Sequence, residues 1–200
     1  MTMFDVLKKE LKKSLRSSLD SIAFRWRVMR QGGYAEKSLK IKNQRFIHVG
    51  RKVKIKKGYR IECYSRFAGN LLKPNIIIED GVNIGNFLTI LGGATVRIGK
   101  DSIFAGNVTL ISENHGMDPE SEIPYHAQPL STGDIVIGEG CWLGQNVCVL
   151  PNVKIGNKCI IATSSVVTHD VPDYSLAAGI PAKIIKRYNF STHHWEKCTE

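Results

Sequence analysis

The sequence predicts an all-β chain wound as a parallel solenoid, led in by one amphipathic helix and interrupted by one long loop. Three observations carry this reading. An apolar residue recurs every six positions through the body of the chain. A second apolar stripe recurs at three- and four-residue steps within residues 1–31. Charge is divided unevenly: the 200 residues carry 28 Lys and Arg against 18 Asp and Glu, yet residues 1–60 hold 18 basic and 4 acidic side chains, so a front of +14 precedes a body of −4. A hydrophobic content of 42% supports one sizeable core and excludes collagen-like, mucin-like and wholly disordered chains.

At the front, Phe4, Leu7, Leu11, Leu15, Leu19, Ile22, Trp26 and Met29 are spaced as one face of a helix. Lys8, Lys9, Lys12, Lys13 and Arg16 lie off or beside the stripe, and Gly32-Gly33 reads as the stop. Such a helix either caps the open end of a solenoid or packs between subunits, or it attaches to an anionic membrane face. These roles can coexist. Removal of residues 1–30 is then expected to spare the chemistry and weaken attachment.

The period of six falls at Ile78, Ile84 and Ile90, resumes after a two-residue slip at Ile98, Phe104 and Leu110, and returns at Ile137, Leu143, Val149, Ile155, Ile161 and Val167. Gly or Ala follows many of these. A second small or branched position comes four residues later, as at Val82, Val108, Cys141, Val147, Val153, Cys159 and Ser165. Six suits neither a helix nor plain strand alternation. It suits a solenoid in which each hexad is a short strand plus a corner and three hexads close a turn. Residues 78–95, 98–115, 137–154 and 155–172 then form four coils, and Ile41, Ile47, Val53 and Tyr59 start a weaker one. A sandwich of short strands would place turns every 8–12 residues, which this chain does not do. The organisation read this way is a helix over 1–31, a weak coil and connection over 32–75, the solenoid over 76–188 with a loop at 112–134, and a frayed tail over 189–200.

The hexads, the string Cys141-Trp142-Leu143-Gly144-Gln145-Asn146-Val147 and the closing Ala178-Gly179-Ile180-Pro181-Ala182-Lys183-Ile184-Ile185-Lys186 resemble the hexapeptide-repeat acyltransferases, in their sugar O-acetyltransferase branch. That resemblance implies a left-handed parallel β-helix, a homotrimer with sites between neighbouring subunits, acetyl-CoA as donor, a carbohydrate acceptor and no metal.

Within the loop, His115-Gly116-Met117-Asp118-Pro119 stands where the resembling family carries its catalytic H-x-x-D-P stretch. Acetyl transfer from a thioester to a hydroxyl needs a base, and imidazole, with an ordinary pKa of about 6.5, suits neutral pH. His115 is therefore the candidate base. Glu113 or a backbone carbonyl is the candidate partner for its other ring nitrogen, and His126 the reserve base or an acceptor contact. Asp118 belongs to the same stretch. By resemblance, Gly144, Gln145, Thr163, Ser164, Thr168 and His169 line the CoA groove, Lys183 and Lys186 meet its nucleotide end, and Trp142 walls the thioester pocket or packs at a subunit boundary. Cys141 and Cys159 occupy inward hexad positions and no covalent acetyl-enzyme is expected. Members acting on small sugars carry Asn-Phe-Asn-Leu-Thr before an acidic pair. Here Gly85-Asn86-Phe87-Leu88-Thr89 leads to Gly92-Gly93. Asn83 and Asn86 remain candidate acceptor contacts, and a larger acceptor, such as a surface polysaccharide or lipid-linked glycan precursor, fits the change.

Rival readings are N-acetylation of an amino sugar by the same fold, a metal-dependent hydratase, and a basic binding module. The histidine spacings do not supply the hydratase's close pair, and the front carries no nucleic-acid motif. Short apolar runs, five cysteines without CxxC spacing and charges spread through residues 1–30 lead to the expectation of a cytoplasmic protein, at most peripheral on the membrane.

Overall fold

The computed structural model describes residues 3–198. Three parallel sheets form the walls of a prism. The first wall stacks Tyr34–Ala35, Lys54–Ile55, Asn83–Ile84, Ile103–Phe104, Trp142–Leu143, Ile160–Ile161 and Ser175–Gly179. The second stacks Lys40–Lys42, Arg60–Cys63, Thr89–Gly92, Thr109–Ile111, Cys148–Val149 and Val166–Val167, and the third Ile47–Val49, Asn75–Ile78, Thr95–Ile98, Ile135–Ile137 and Val153–Ile155. The chain visits first, second and third wall in turn, and successive coils are hydrogen-bonded in parallel.

Register explains the hexads. Ile78, Ile98, Ile137 and Ile155 are aligned partners on the third wall, Ile84, Phe104, Leu143 and Ile161 on the first, and Ile90, Leu110, Val149 and Val167 on the second. All twelve are buried. Each column stacks large apolar side chains into the core, and the second inward positions, such as Val82, Val108 and Val147, fill the space beside them. The two-residue slip lies in the Gly92-Gly93-Ala94 corner between second and third walls.

Residues 34–78 form two coils rather than one weak one. Ile41, Ile47, Val53, Ile55, Tyr59 and Ile61 are all fully buried. Basic side chains outside the hexad positions mask that regularity. At the other end, the expected fraying does not occur within the described residues: Ala182–Asn189 turns back antiparallel on Ser175–Gly179, and His194–Lys197 pairs with it in turn. Trp195 packs edge-on against Tyr188, 5.5 Å between centroids, which gives that strand an anchor.

Helix α1 (Met3–Arg30) ends where Gly32, at φ 70°, donates to Met29 and Gly33 to Val28. It lies across the first coil and touches all three walls. Arg25 Nε donates to the Ala35 carbonyl at 3.1 Å, Ser17 Oγ to the Ile41 carbonyl at 3.4 Å, and Arg27 to the Ile47 carbonyl. Phe24 and Val28 fill the open end, Phe24 packing on Tyr59 at 5.8 Å. The helix therefore caps the solenoid, but not with its apolar stripe. Leu11, Leu15, Leu19, Ile22, Trp26 and Met29 are all exposed. The side chains of Phe4, Leu7, Lys9 and Lys13 lie outside the described residues. Because Phe24 and Val28 belong to the core, removing residues 1–30 would uncover it, which corrects the expectation that the segment is dispensable.

Candidate active site

Two excursions leave the prism at the same corner, between second and third walls. In the second coil, Arg66–Phe67 and Asn70–Leu71 form a small antiparallel hairpin. In the fourth, Glu113–Asn114 pairs antiparallel with Ser131–Thr132 at the base of the 112–134 segment. The third coil turns tightly between them at Gly92-Gly93. A Cβ on Gly93 would fall 2.8 Å from Glu113 Cβ and from Thr132 Cγ2. Glycine here lets the Glu113–Thr132 ribbon close over the corner, and it gives a steric reason for the absence of a side chain at position 93.

His115 follows that ribbon, exposed at the lip of the corner. Phe67 from the hairpin stands edge-on to it, 5.4 Å between centroids at 67°. Glu113 is half-buried two residues before. Burial pushes its carboxyl up, His115 nearby pulls it down and Glu62 pushes it up again, for a net rise. Glu62 is only 2% exposed and pairs with Lys40 at 2.7 Å and with Arg60. Burial would raise its carboxyl, but hydrogen bonds and charge from Lys40 and Arg60 outweigh it and hold it below the usual range. Tyr64 lies between these groups: burial, with the charges of Glu62 and Glu113, pushes its hydroxyl up to about 12, and Lys42 Nζ sits 4.3 Å over its ring. Glu62, Tyr64 and Phe67 were not singled out from sequence. The available signal was the Ala68-Gly69 turn between Phe67 and Leu71, with φ 45° and 81°.

Two polar side chains hold the segment that carries His115. Ser112 is fully buried; its hydroxyl accepts from Gly93 N at 3.0 Å and Ala94 N at 3.3 Å, while its carbonyl accepts from Gly133 N at 3.1 Å. Gln128, 3% exposed, donates through Nε2 to the Asp118 and Ile123 carbonyls at 2.9 Å and accepts from Asp118 N at 3.1 Å. A Cβ on Gly116 would meet Gln128 Cβ at 2.7 Å, so Gly116 seats the turn after His115. Asp118 uses its carboxylate within its own turn, accepting from Glu120 N at 3.0 Å. His126 lines a surface groove with Asp118, Ser121, Tyr125 and Gln128, and His115 is not part of that lining.

The remaining candidates fall on other edges. Asn83, Asn86 and Gln145 line one groove of about 430 Å³ with Lys56, Phe87 and Ile103, on the first wall and its corner with the second. Gly144, Thr163 and Ser164 lie along that same corner. A Cβ on Gly144 would fall 2.6 Å from Thr163 N, so coil stacking alone demands glycine there. Ser164 is at φ 59° and its N–H donates to the Gln145 carbonyl at 2.7 Å. Thr168 and His169, joined at 2.8 Å, sit on His115's corner two coils further on, about 10 Å along the axis at ordinary strand spacing. Trp142 is exposed on the first wall beside its register partner Ile103, also exposed. Lys183 is exposed and Lys186 half-buried on the last turn of the first wall. One chain thus brings His115, Glu113, Thr168 and His169 to one edge and Asn83, Asn86, Gln145, Thr163 and Ser164 to another. Cys141 and Cys159 are buried. The Cys141 thiol is pushed up by its hydrogen bond with Cys159 and by burial. Among the described residues no three His, Cys, Asp or Glu side chains are grouped to hold a metal ion, and no helix is long and apolar enough to cross a membrane.

The Bacterial transferase hexapeptide (six repeats) family matches residues 134–169. WbbJ of Escherichia coli (strain K12), named as a lipopolysaccharide biosynthesis O-acetyl transferase, is 36% identical over 78% of this chain and 80% of its own length. The galactoside O-acetyltransferase of the same strain is 33% identical over 62% of this chain and 64% of its own. The fold also matches AntD from Bacillus cereus, an N-acyltransferase solved with dTDP-4-amino-4,6-dideoxyglucose and coenzyme A, at a TM-score of 0.64 and 18% identity over 78% of this chain and 81% of that one. The chain belongs to the hexapeptide-repeat acyltransferases, in the sugar O-acetyltransferase branch, and is an acyltransferase.

Proposed function

We propose that the protein transfers the acetyl group of acetyl-CoA directly to a sugar hydroxyl of a surface polysaccharide or lipid-linked glycan precursor. His115 takes the hydroxyl proton as the oxygen attacks the thioester carbonyl. The tetrahedral oxyanion then collapses, the C–S bond breaks, and the departing CoA sulfur takes the proton back from the imidazolium. Glu113 beside the ring stabilises that imidazolium. The observation that carries this reading is the exposed His115, held by Ser112 and Gln128 at a corner where Phe67, Tyr64 and Glu113 converge.

The partition of candidates between two edges supports a left-handed β-helical homotrimer in which the His115 edge of one subunit faces the Asn86 and Gln145 edge of the next. The exposed Ile103 and Trp142 supply apolar surface for that contact. In this arrangement Gln145, Thr163 and Ser164 border the pantetheine arm, Thr168, His169, Lys183 and Lys186 border the nucleotide end, and Asn83 and Asn86 reach the acceptor. Asp118 and His126 border the acceptor's entry. Residues 1–31 then serve as capping and attachment helix, 32–75 as the first coils with the hairpin that reaches His115, and 76–188 as the catalytic body, and the chain works in the cytoplasm at the membrane face.

His115→Ala tests the mechanism. Acetyl transfer should fall by about 10²- to 10⁴-fold, with the oligomer's mass and melting unchanged; activity within a few-fold of wild type would overturn it. Free CoA release against a panel of glycan repeat units tests the acceptor. Equal rates on free monosaccharides and lipid-linked glycans would overturn the choice of a large acceptor, and preference for amino sugars would overturn O-transfer.

A further inference from the structure

Helix α1 has two working faces. Ser17, Asp20, Ser21, Phe24, Arg25, Arg27 and Val28 all contact the first two coils. At 100° per residue the stripe Leu11, Leu15, Leu19, Ile22, Trp26 and Met29 is centred roughly 160° away from that contact face. Since the helix lies across all three walls of the first coil, the stripe faces away from the prism, beyond the end of the solenoid. Nothing among the described residues packs against it, and a contiguous exposed apolar stripe marks an interaction surface.

We infer that this face is a docking surface for an anionic lipid bilayer. The charge beside the stripe selects the occupant. Lys12, Arg16 and Arg30 run along one flank and Arg25 lies on the other, all exposed. Lys12 and Arg16 continue into a crevice of about 410 Å³ shared with Lys40 and Lys42, so positive potential extends from the helix onto the second wall. An apolar face of leucines with one tryptophan, bordered by cations, is the pattern of a helix lying in the headgroup region. A second copy of this basic end would bring like charges together, which disfavours end-to-end pairing of two chains through the same face. In the trimer proposed above, three such helices share one end, so three weak contacts act together on one surface. The inference rests on the geometry of α1; only the threefold arrangement depends on the proposed function.

The full chain should float with vesicles of phosphatidylcholine and phosphatidylglycerol and not with phosphatidylcholine alone. Leu15→Asp with Leu19→Asp should weaken binding by roughly 100-fold or more, from the two buried leucines lost. Lys12→Glu with Arg16→Glu should weaken it by about fivefold or more per cation. Both variants alter only exposed positions, so melting temperature and acetyl transfer to a water-soluble acceptor should hold. That second readout separates a failure of docking from a failure of the acetyl-transfer reading. Absence of flotation, flotation unchanged by either variant, or a wild-type assembly that halves in mass in Leu15→Asp with Leu19→Asp would overturn the inference. The last result would assign the face to a second copy.

Discussion

The Phe67 ring meets the His115 imidazole edge to face, 5.4 Å between centroids, although the two residues come from excursions two coils apart. An edge-on aromatic contributes about 0.5–1.5 kcal/mol beyond its buried area. Removing it frees His115 to leave the attacking geometry. Phe67→Ala should lower kcat/KM by roughly 2- to 12-fold, and Phe67→Tyr should largely restore it. An unchanged kcat/KM in a folded Phe67→Ala protein would show that the hairpin does not position the base.

Glu113 stands beside His115 in a half-buried position that raises its own carboxyl. Glu113→Gln keeps the size of the side chain and removes its charge, so the imidazolium formed during transfer loses a neighbouring anion. The maximal rate should fall several-fold in Glu113→Gln with the melting temperature held. An unchanged kcat in a folded Glu113→Gln protein would exclude Glu113 as the partner of the base.

Gly93 has no room for a side chain. The first atom added would press on Glu113 and Thr132 at 2.8 Å. These contacts are side-chain atoms of a surface ribbon, so the ribbon shifts rather than the core. Gly93→Ala should reduce acetyl transfer while lowering the melting temperature by only a few degrees, and the larger Gly93→Asp should reduce transfer further. Full activity in Gly93→Ala would show that the Glu113 ribbon tolerates displacement.

The inward columns were legible because the same demand, a branched side chain facing one narrow core, repeats in every coil. Ile84, Phe104, Leu143 and Ile161 answer it one after another. The division of the candidate site between edges was not legible. Asn86 and His115 differ by one corner in a count of strands that the hairpin at 66–71 and the Gly92-Gly93 slip both shift. Nor did periodicity say which side of α1 packs. Phe24 and Val28 make a short i, i+4 pair flanked by small Ser17 and Ser21, and shape against Tyr59 selected that face over the longer stripe. The loop's architecture rested on Gln128, a polar residue whose three hydrogen bonds depend on tertiary placement.

Glu62 ties acid stability to the corner beneath His115. Folding holds its carboxyl below the ordinary value of 4.5 through Lys40 and Arg60. The unfolded chain therefore binds the proton more readily than the folded one. Glu62's contribution is complete above about pH 4.5 and is lost as pH falls through the lower folded value. Glu62→Gln should lower stability at pH 7 by about 1–3 kcal/mol and flatten the loss of melting temperature below pH 4.5. A wild-type slope retained in Glu62→Gln would place the acid sensitivity elsewhere.

The two faces of α1 separate by mutation. Phe24 is fully buried against Tyr59 at the open end of the prism. Phe24→Ala removes a large core side chain and leaves a void beneath the cap, a loss of about 3–5 kcal/mol. Leu19 is 66% exposed on the opposite face. Leu19→Ala touches no core contact and should change stability by no more than about 0.5 kcal/mol. Denaturant melts of the two variants measure the contrast. Comparable losses in both would mean that the exposed stripe is packed in solution, and comparable neutrality would mean that the helix does not close the core.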